Sequence, residues 1–334
     1  ILSIILLFIF VKRPSDYLIY AAITVLASVG SNFLNFVHAR SFIHIRLTLN
    51  TRWKYHLKPI LTIFASSVAV TIYVYSDNTI LGLMKNDYAV GIYSTSVKIY
   101  QIAQSLLSAV LTVTIPRLAM LWGQRRRREY NDVLTRVINT LGVLVLPASV
   151  GLLMLSREVV LIIAGPKFLP SVNSLRIITW AIIFSIFSWI FSDCVLIPAK
   201  REKRVLQNTL ITAVINIVLN FILIPTMSYD GTSLSTVLAE LSVMIMNGYS
   251  CKDIIKPIIF KKETLKNLLE SIIGCIGIVI VCLLCQWGWD SMIWKTVFSV
   301  ILSVPMYGAI LVLLKNKIAI SMLKNAINII KNKI

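Results

Sequence analysis

The chain has 334 residues, 57% of them hydrophobic and only 14% charged, against roughly 45–50% and about 25% in soluble domains. That balance excludes an ordinary soluble domain. The net charge of +19 falls in short loops between apolar runs, which argues against nucleic acid as its partner.

The chain opens inside an apolar run, Ile1 to Val11. Such a run covers only about 16 Å as a helix, half a bilayer core. It has no initiator Met, no charged leader and no cleavage site, so a longer protein whose earlier spans are absent is expected. Nine full spans follow, at 17–37, 59–80, 89–115, 137–155, 174–197, 208–227, 231–250, 269–287 and 293–314. Each is near the ~20 residues a helix needs to cross ~30 Å of hydrocarbon. The runs are continuous rather than alternating, so the fold class is an all-α polytopic membrane bundle, not a barrel.

Loops 38–58, 123–136, 199–207, 251–268 and 315–334 hold 24 of the 33 Lys and Arg residues, whereas the loops between them hold five. The two sets alternate across every span. By the positive-inside rule the basic set and the C-terminus are expected in the cytoplasm. The tail 315–334 spaces Lys among Ile and Leu as an interfacial amphipathic helix would. The five cysteines lie in or beside apolar helices and read as small packing residues, Cys282-x-x-Cys285 included. No metal site or cofactor is implied.

Polar groups at membrane depth are costly, so they mark candidate sites. In 89–115, the residues Gly91, Ser94, Lys98, Gln101, Ser105, Ser108 and Thr112 follow steps of three and four, one face of a helix. Lys98 lies about 13 Å inside the span. An ammonium on a hydroxyl and amide stripe suits a water-filled cavity that receives an anion, although small polar residues also glue helices together. Span 231–250 places Ser233, Thr236, Glu240 and Asn247 near one face, with Glu240 at mid-membrane. That carboxyl reads equally as a proton or cation site and as a structural partner. Asp77 reads as an outer cap or as the lining of a cavity mouth, since Ile80 to Met84 extends its helix. Asn208, Asn216 and Asn220 share a face and suit interhelical hydrogen bonding. Asp193, above the Lys200 loop, is expected to pair with it. The last two spans carry few polar residues and read as peripheral and lipid-facing.

The segments Asp77-x-x-x-Leu81-Gly82, Val90-Gly91-Ile92-Tyr93-Ser94, Lys98 and Pro116-Arg117-Leu118 resemble polysaccharide flippases of the Wzx type. These belong to the multidrug/oligosaccharidyl-lipid/polysaccharide exporter superfamily. Ile197-Pro198, the basic block Lys200 to Arg204, Asn208, Asn216, Asn220, Ile224-Pro225, Tyr229-Asp230-Gly231, Thr236 and Glu240 extend the resemblance over about 77–250. It implies two six-helix lobes around a cavity plus two C-terminal helices. On that plan 1–37 is a remnant of the first lobe, which is mostly missing, and 38–58 an inter-lobe loop. Residues 59–250 form the second lobe, 251–314 a loop with two peripheral helices, and 315–334 the tail. In related lipid II flippases an acid stands where Lys98-Ile99-Tyr100 is followed here by Gln101.

The resemblance implies a transporter in a bacterial cytoplasmic membrane. It would move an undecaprenyl-pyrophosphate-linked oligosaccharide through the bilayer by alternating access, for capsule, exopolysaccharide or O-antigen, beside a polymerase and chain-length machinery. Its cavity residues here would be Asp77, Ser94, Lys98, Gln101, Ser105, Asn216, Asn220 and Glu240, with proton and sodium coupling both open. A drug/cation antiporter of the same superfamily is the competing reading. An enzyme of polysaccharide assembly is disfavoured, because His38, His44 and His56 share one basic segment and no outer loop is large.

Overall fold

The computed structural model describes residues 2–13, 16–42, 57, 75–288 and 291–331, and these are helix and turn without a strand. Most of the basic segment expected at 38–58, and of the span expected at 59–80, lies outside the described residues. The chain divides into two units, Ile1–Ser67 and Val68–Ile334. In the first, α1 (Leu2–Phe10) and α2 (Tyr17–Ala39) join at a turn where Asp16 accepts from the backbone N–H of Lys12 and Arg13. Nearly all their apolar side chains are exposed, and Ile23 is the buried exception among the described ones.

The described part of the second unit opens with α3 (75–84), which continues past Asp77 as the apolar run predicts. Asn86 then caps α4 (Asp87–Gly123) by accepting from the Ala89 N–H. At 37 residues α4 is about 55 Å long, so it overshoots the bilayer core at one end or both. The others are α5 (Arg127–Met154), the short α6 (Ser156–Ile163), α7 (Ser171–Trp189), α8 (Glu202–Ser250), α9 (Lys252–Ile259), α10 (Lys262–Gly288), α11 (Met292–Leu313) and α12 (Lys317–Lys331). Helix α5 starts inside the block read as loop from its charges, because a helix need not stop where the apolar run does.

Seven of the described helices are long and apolar enough to span a membrane. One of them, α8, is a hairpin: Ser228 breaks it with φ 52° and ψ −129°, which separates the spans expected at 208–227 and 231–250. The arms return antiparallel, so that Asn220 meets Ser235 near the bend and Asn208 meets Asn247 far from it. Gly231 makes the bend possible, since a Cβ there would stand 2.6 Å from the Leu223 carbonyl oxygen.

Helix α7 is the most enclosed of the apolar helices. Its Leu175, Ile178, Ile182 and Ile186 are buried among α4, α5 and α8, and it ends in a wider π-helical turn at Ile190–Leu196. Asp193 sits in that turn and accepts from the Ser192 hydroxyl at 3.0 Å. It makes no ion pair with the Lys200 loop. Arg201 of that loop pairs instead with Asp253, with two 2.7 Å contacts, and the ion pairs of the described residues include neither Asp193 nor the loop's other basic side chains. Helices α10 and α11 pack on each other and α10 on α5. Gly274 lets the Tyr307 ring in close, and the Tyr307 hydroxyl donates to the Val143 carbonyl at 2.8 Å. All five cysteines are buried thiols.

The basic loops of this unit share one end. Arg201 pairs with Asp253 and Lys317 with Glu263, while Asn316 donates to Asn267 and Glu270. At the other end Lys85 donates to the Pro225 carbonyl, and Arg176 to the Ser156 hydroxyl. The charge asymmetry along the sequence is thus an asymmetry in space.

Candidate functional site

The site grows from the start of α3. A carboxylate inside an apolar bundle must have its oxygens hydrogen-bonded, and Asp77, 9% exposed, is served from α4 and both arms of α8. Its Oδ1 accepts from Asn220 Nδ2 at 2.6 Å. Its Oδ2 accepts from the Tyr93 hydroxyl of α4 and the Thr236 hydroxyl of α8, each at 2.8 Å. Around these, Asn220 also donates to Asn216 at 3.3 Å and accepts from Ser235 at 2.7 Å. The network closes the α8 hairpin onto α3 and α4. Asp77 is therefore a buried hub rather than a cap at the water interface.

Beside it lies a cavity of about 280 Å³, lined by Asp77, Gln101, Asn216 and Glu240 together with Tyr93, Tyr100, Gln104 and Thr236. Gln104 donates to the Tyr100 hydroxyl and to Ser185, both at 2.8 Å, which fixes that wall. None of the lining residues is Lys, Arg or His. Two carboxyl groups sharing a small cavity without a counter-charge repel each other unless a proton or a cation joins them. The donor set is carboxylate, amide and hydroxyl oxygen, which suits a proton or a hard monovalent ion. The described residues hold no cluster of three or more His, Cys, Asp or Glu, the grouping a transition metal would need.

Of the residues singled out from the sequence, Asp77, Gln101, Asn216 and Glu240 come together at this cavity, and Asn220 reaches it through Asp77. Ser94 donates instead to Asn78 at 3.2 Å. Lys98 and Ser105 lie on the exposed side of α4, Ser105 donating to its own helix at Ile102. The ion pairs of the described residues include neither Lys98 nor Glu240. The stripe bearing Lys98 and the wall of the cavity are thus adjacent faces of one helix. The wall follows Tyr93, Val97, Tyr100 and Gln104, steps of four, three and four that sequence reasoning passed over, because two tyrosines and a valine read as apolar packing. Tyr93 and Tyr100 were detectable only as hydroxyls at the same helical spacing.

Comparison with known proteins bears on this arrangement. Residues 14–173 match the family model described as polysaccharide biosynthesis protein. The chain is 25% identical over 174 residues to the probable low-salt glycan biosynthesis flippase Agl15 of Haloferax volcanii, covering 52% of this chain and 37% of that protein. It is 28% identical over 189 residues to the lipid II flippase MurJ of Bacillus subtilis, covering 53% of this chain and 34% of that one. Its fold superposes on a lipid II flippase MurJ in an inward closed conformation with a TM-score of 0.71, over 95% of this chain and 66% of that chain, at 19% identity. The chain shares the fold of that flippase. It is a multi-pass membrane protein with the exporter fold, and its matches span about a third of the length of each curated relative. Within that fold, the Asp77 network ties the helix before α4 to both arms of α8.

Proposed function

We propose that the chain is part of a transporter, not an enzyme, that flips an undecaprenyl-pyrophosphate-linked oligosaccharide across a bacterial cytoplasmic membrane by alternating access. The product would feed a surface polysaccharide such as capsule, exopolysaccharide or O-antigen, beside a polymerase and its chain-length machinery. The observation that carries this reading is Lys98. It is an ammonium without an ion-pair partner among the described residues, exposed on the polar stripe of α4 in a chain with the exporter fold. A pyrophosphate is the ligand such a stripe suits, with Ser94, Gln101 and Ser105 as its neutral donors. The family match and the names of the relatives support a lipid-linked glycan as cargo. The cavity of Asp77 and Glu240 then serves the coupling cation, proton or sodium. Helices α10 and α11, with their apolar outer faces, meet lipid and the polyprenyl tail, and the basic end with the C-terminus faces the cytoplasm.

A second reading, a drug/cation antiporter of the same superfamily, is supported by the two carboxyl groups in that cavity. Export of surface polysaccharide separates the two, measured in a strain lacking the full-length protein and carrying its variants. Lys98→Arg should keep partial export, since charge remains while geometry changes. Lys98→Ala and Lys98→Glu should abolish it at normal membrane abundance. Normal export by a well-expressed Lys98→Ala variant would overturn the anion-binding role, and intact export without the whole protein would leave the antiporter.

A further inference from the structure

Away from the Asp77 cavity, the two arms of α8 leave an open groove of about 660 Å³ at the basic end. Its rim is Arg204, Gln207 and Tyr249, and its base is Asn208 and Ser250. Asn208 is buried and donates to Asn247 at 2.8 Å and to the Ser250 hydroxyl at 3.1 Å. Ser250 accepts that bond, and its own hydrogen goes to no described group. Neither does the Arg204 guanidinium. A second cation stands over the rim, with Lys252 Nζ 4.1 Å from the centre of the Tyr249 ring. The acids nearby are already occupied or turned aside. Asp253 is held by two bonds from Arg201, and Glu202 is two residues from Arg204, a spacing that does not put helix side chains face to face.

Deeper in, the walls are Leu210 and Ile211 on one arm and Ile245 and Met246 on the other. Leu210, Ile211 and Ile245 are each about half exposed among the described residues. Arg204 precedes Ile211 by about 10 Å of helix and Ser250 follows Ile245 by about 7 Å. Cations and a hydroxyl at the membrane surface, followed inward by hydrocarbon, reproduce the order of a phospholipid standing in the leaflet that the basic end meets. The volume lies within the roughly 300–1,000 Å³ of small-molecule sites. Basic pockets between membrane helices are known to select anionic headgroups.

The geometry points to a binding site for an anionic phospholipid, its phosphodiester held by Arg204, Lys252 and Ser250 and one acyl chain laid along Leu210, Ile211 and Ile245. The occupant is a bilayer lipid rather than the cargo, because none of the groove's lining residues belongs to the stripe of Ser94, Lys98, Gln101 and Ser105 proposed to receive the pyrophosphate.

The test uses the full-length protein in nanodiscs of phosphatidylcholine with and without phosphatidylglycerol, counting retained phosphatidylglycerol by native mass spectrometry. Arg204→Ala and Lys252→Ala should each lower retention about five-fold, the effect of one basic residue near a membrane surface. Ile245→Trp and Leu210→Trp fill the groove without changing charge and should lower it as well, with melting in phosphatidylcholine alone checking that each variant folds. Lys324→Ala removes a charge on α12, away from the groove, and should lower retention less than Arg204→Ala does. The site is overturned if Lys324→Ala matches Arg204→Ala, or if both tryptophan variants retain the lipid as the parent does. It is also overturned if a polyprenyl pyrophosphate displaces phosphatidylglycerol at equal concentration, which would make the groove a cargo site.

Discussion

Removing the Asp77–Asn220 contact measures how firmly α3 is tied to the α8 hairpin. In Asp77→Ala, two of the three donors keep another acceptor: Thr236 has the Thr232 carbonyl at 3.0 Å, and Tyr93 has the Thr236 hydroxyl at 3.0 Å. Asn220 keeps only the 3.3 Å contact to Asn216. The loss should therefore resemble one poorly served buried donor plus the weakened bonds, about 2–4 kcal/mol rather than three times a full charged bond. Asn220→Ala should cost a similar amount: Ser235 still donates to the Thr232 carbonyl at 2.9 Å, but Asp77 Oδ1 loses its 2.6 Å donor. Hydrogen bonds between membrane helices couple by about 0.6 kcal/mol on average, and a charged acceptor roughly doubles that. At 2.6 Å the pair should then couple by about 1–2 kcal/mol in a double-mutant cycle. The assay is equilibrium unfolding of the full-length protein in mixed micelles, with Asp77→Ala, Asn220→Ala and the double variant. Additivity to within about 0.3 kcal/mol would refute the hub, since independent sites add to that precision.

Three further outcomes follow from the geometry. Gly231→Ala should destabilise by about 1–3 kcal/mol, because the new methyl meets backbone at Leu223, whereas Gly142→Ala, with nothing within 4 Å, should be tolerated; equal melting of the two would contradict the close approach at the bend. Arg201→Ala should cost at most about 1 kcal/mol, the pair being half exposed. The hydrogen bonds from Arg201 hold the Asp253 carboxyl below its ordinary range. Its contribution is therefore full above the unfolded value of about 4 and fades as pH falls through the lower folded value; a cost that grew on acidification would be the wrong sign. For sidedness, Arg127→Cys, Lys203→Cys and Lys262→Cys in a cysteine-free protein should resist an impermeant thiol reagent in intact cells while Lys167→Cys reacts. Labelling of Lys203→Cys without permeabilisation would reverse the orientation.

The apolar helices and the gathering of basic loops at one end were legible residue by residue. Hydropathy and charge are solvation properties that each side chain carries without a partner, so the runs and the alternation of Lys and Arg needed no tertiary information. That 208–227 and 231–250 are separate spans was legible too. Which face of α4 turns inward was not. The polar stripe through Lys98 and the cavity wall through Tyr93, Tyr100 and Gln104 differ by one residue, about 100° of rotation, and packing against α7 and α8 sets that angle. Asp77 read as a cap or as a lining until its partners stood beside it, one from 16 residues away and two from more than 140. Asp193 lacks the ion pair its place in the sequence suggested, and Arg201 instead reaches Asp253, 52 residues on. A buried carboxyl takes whichever donors the fold brings within 3 Å, and in a bundle of long helices those come from other spans at separations that no local spacing encodes.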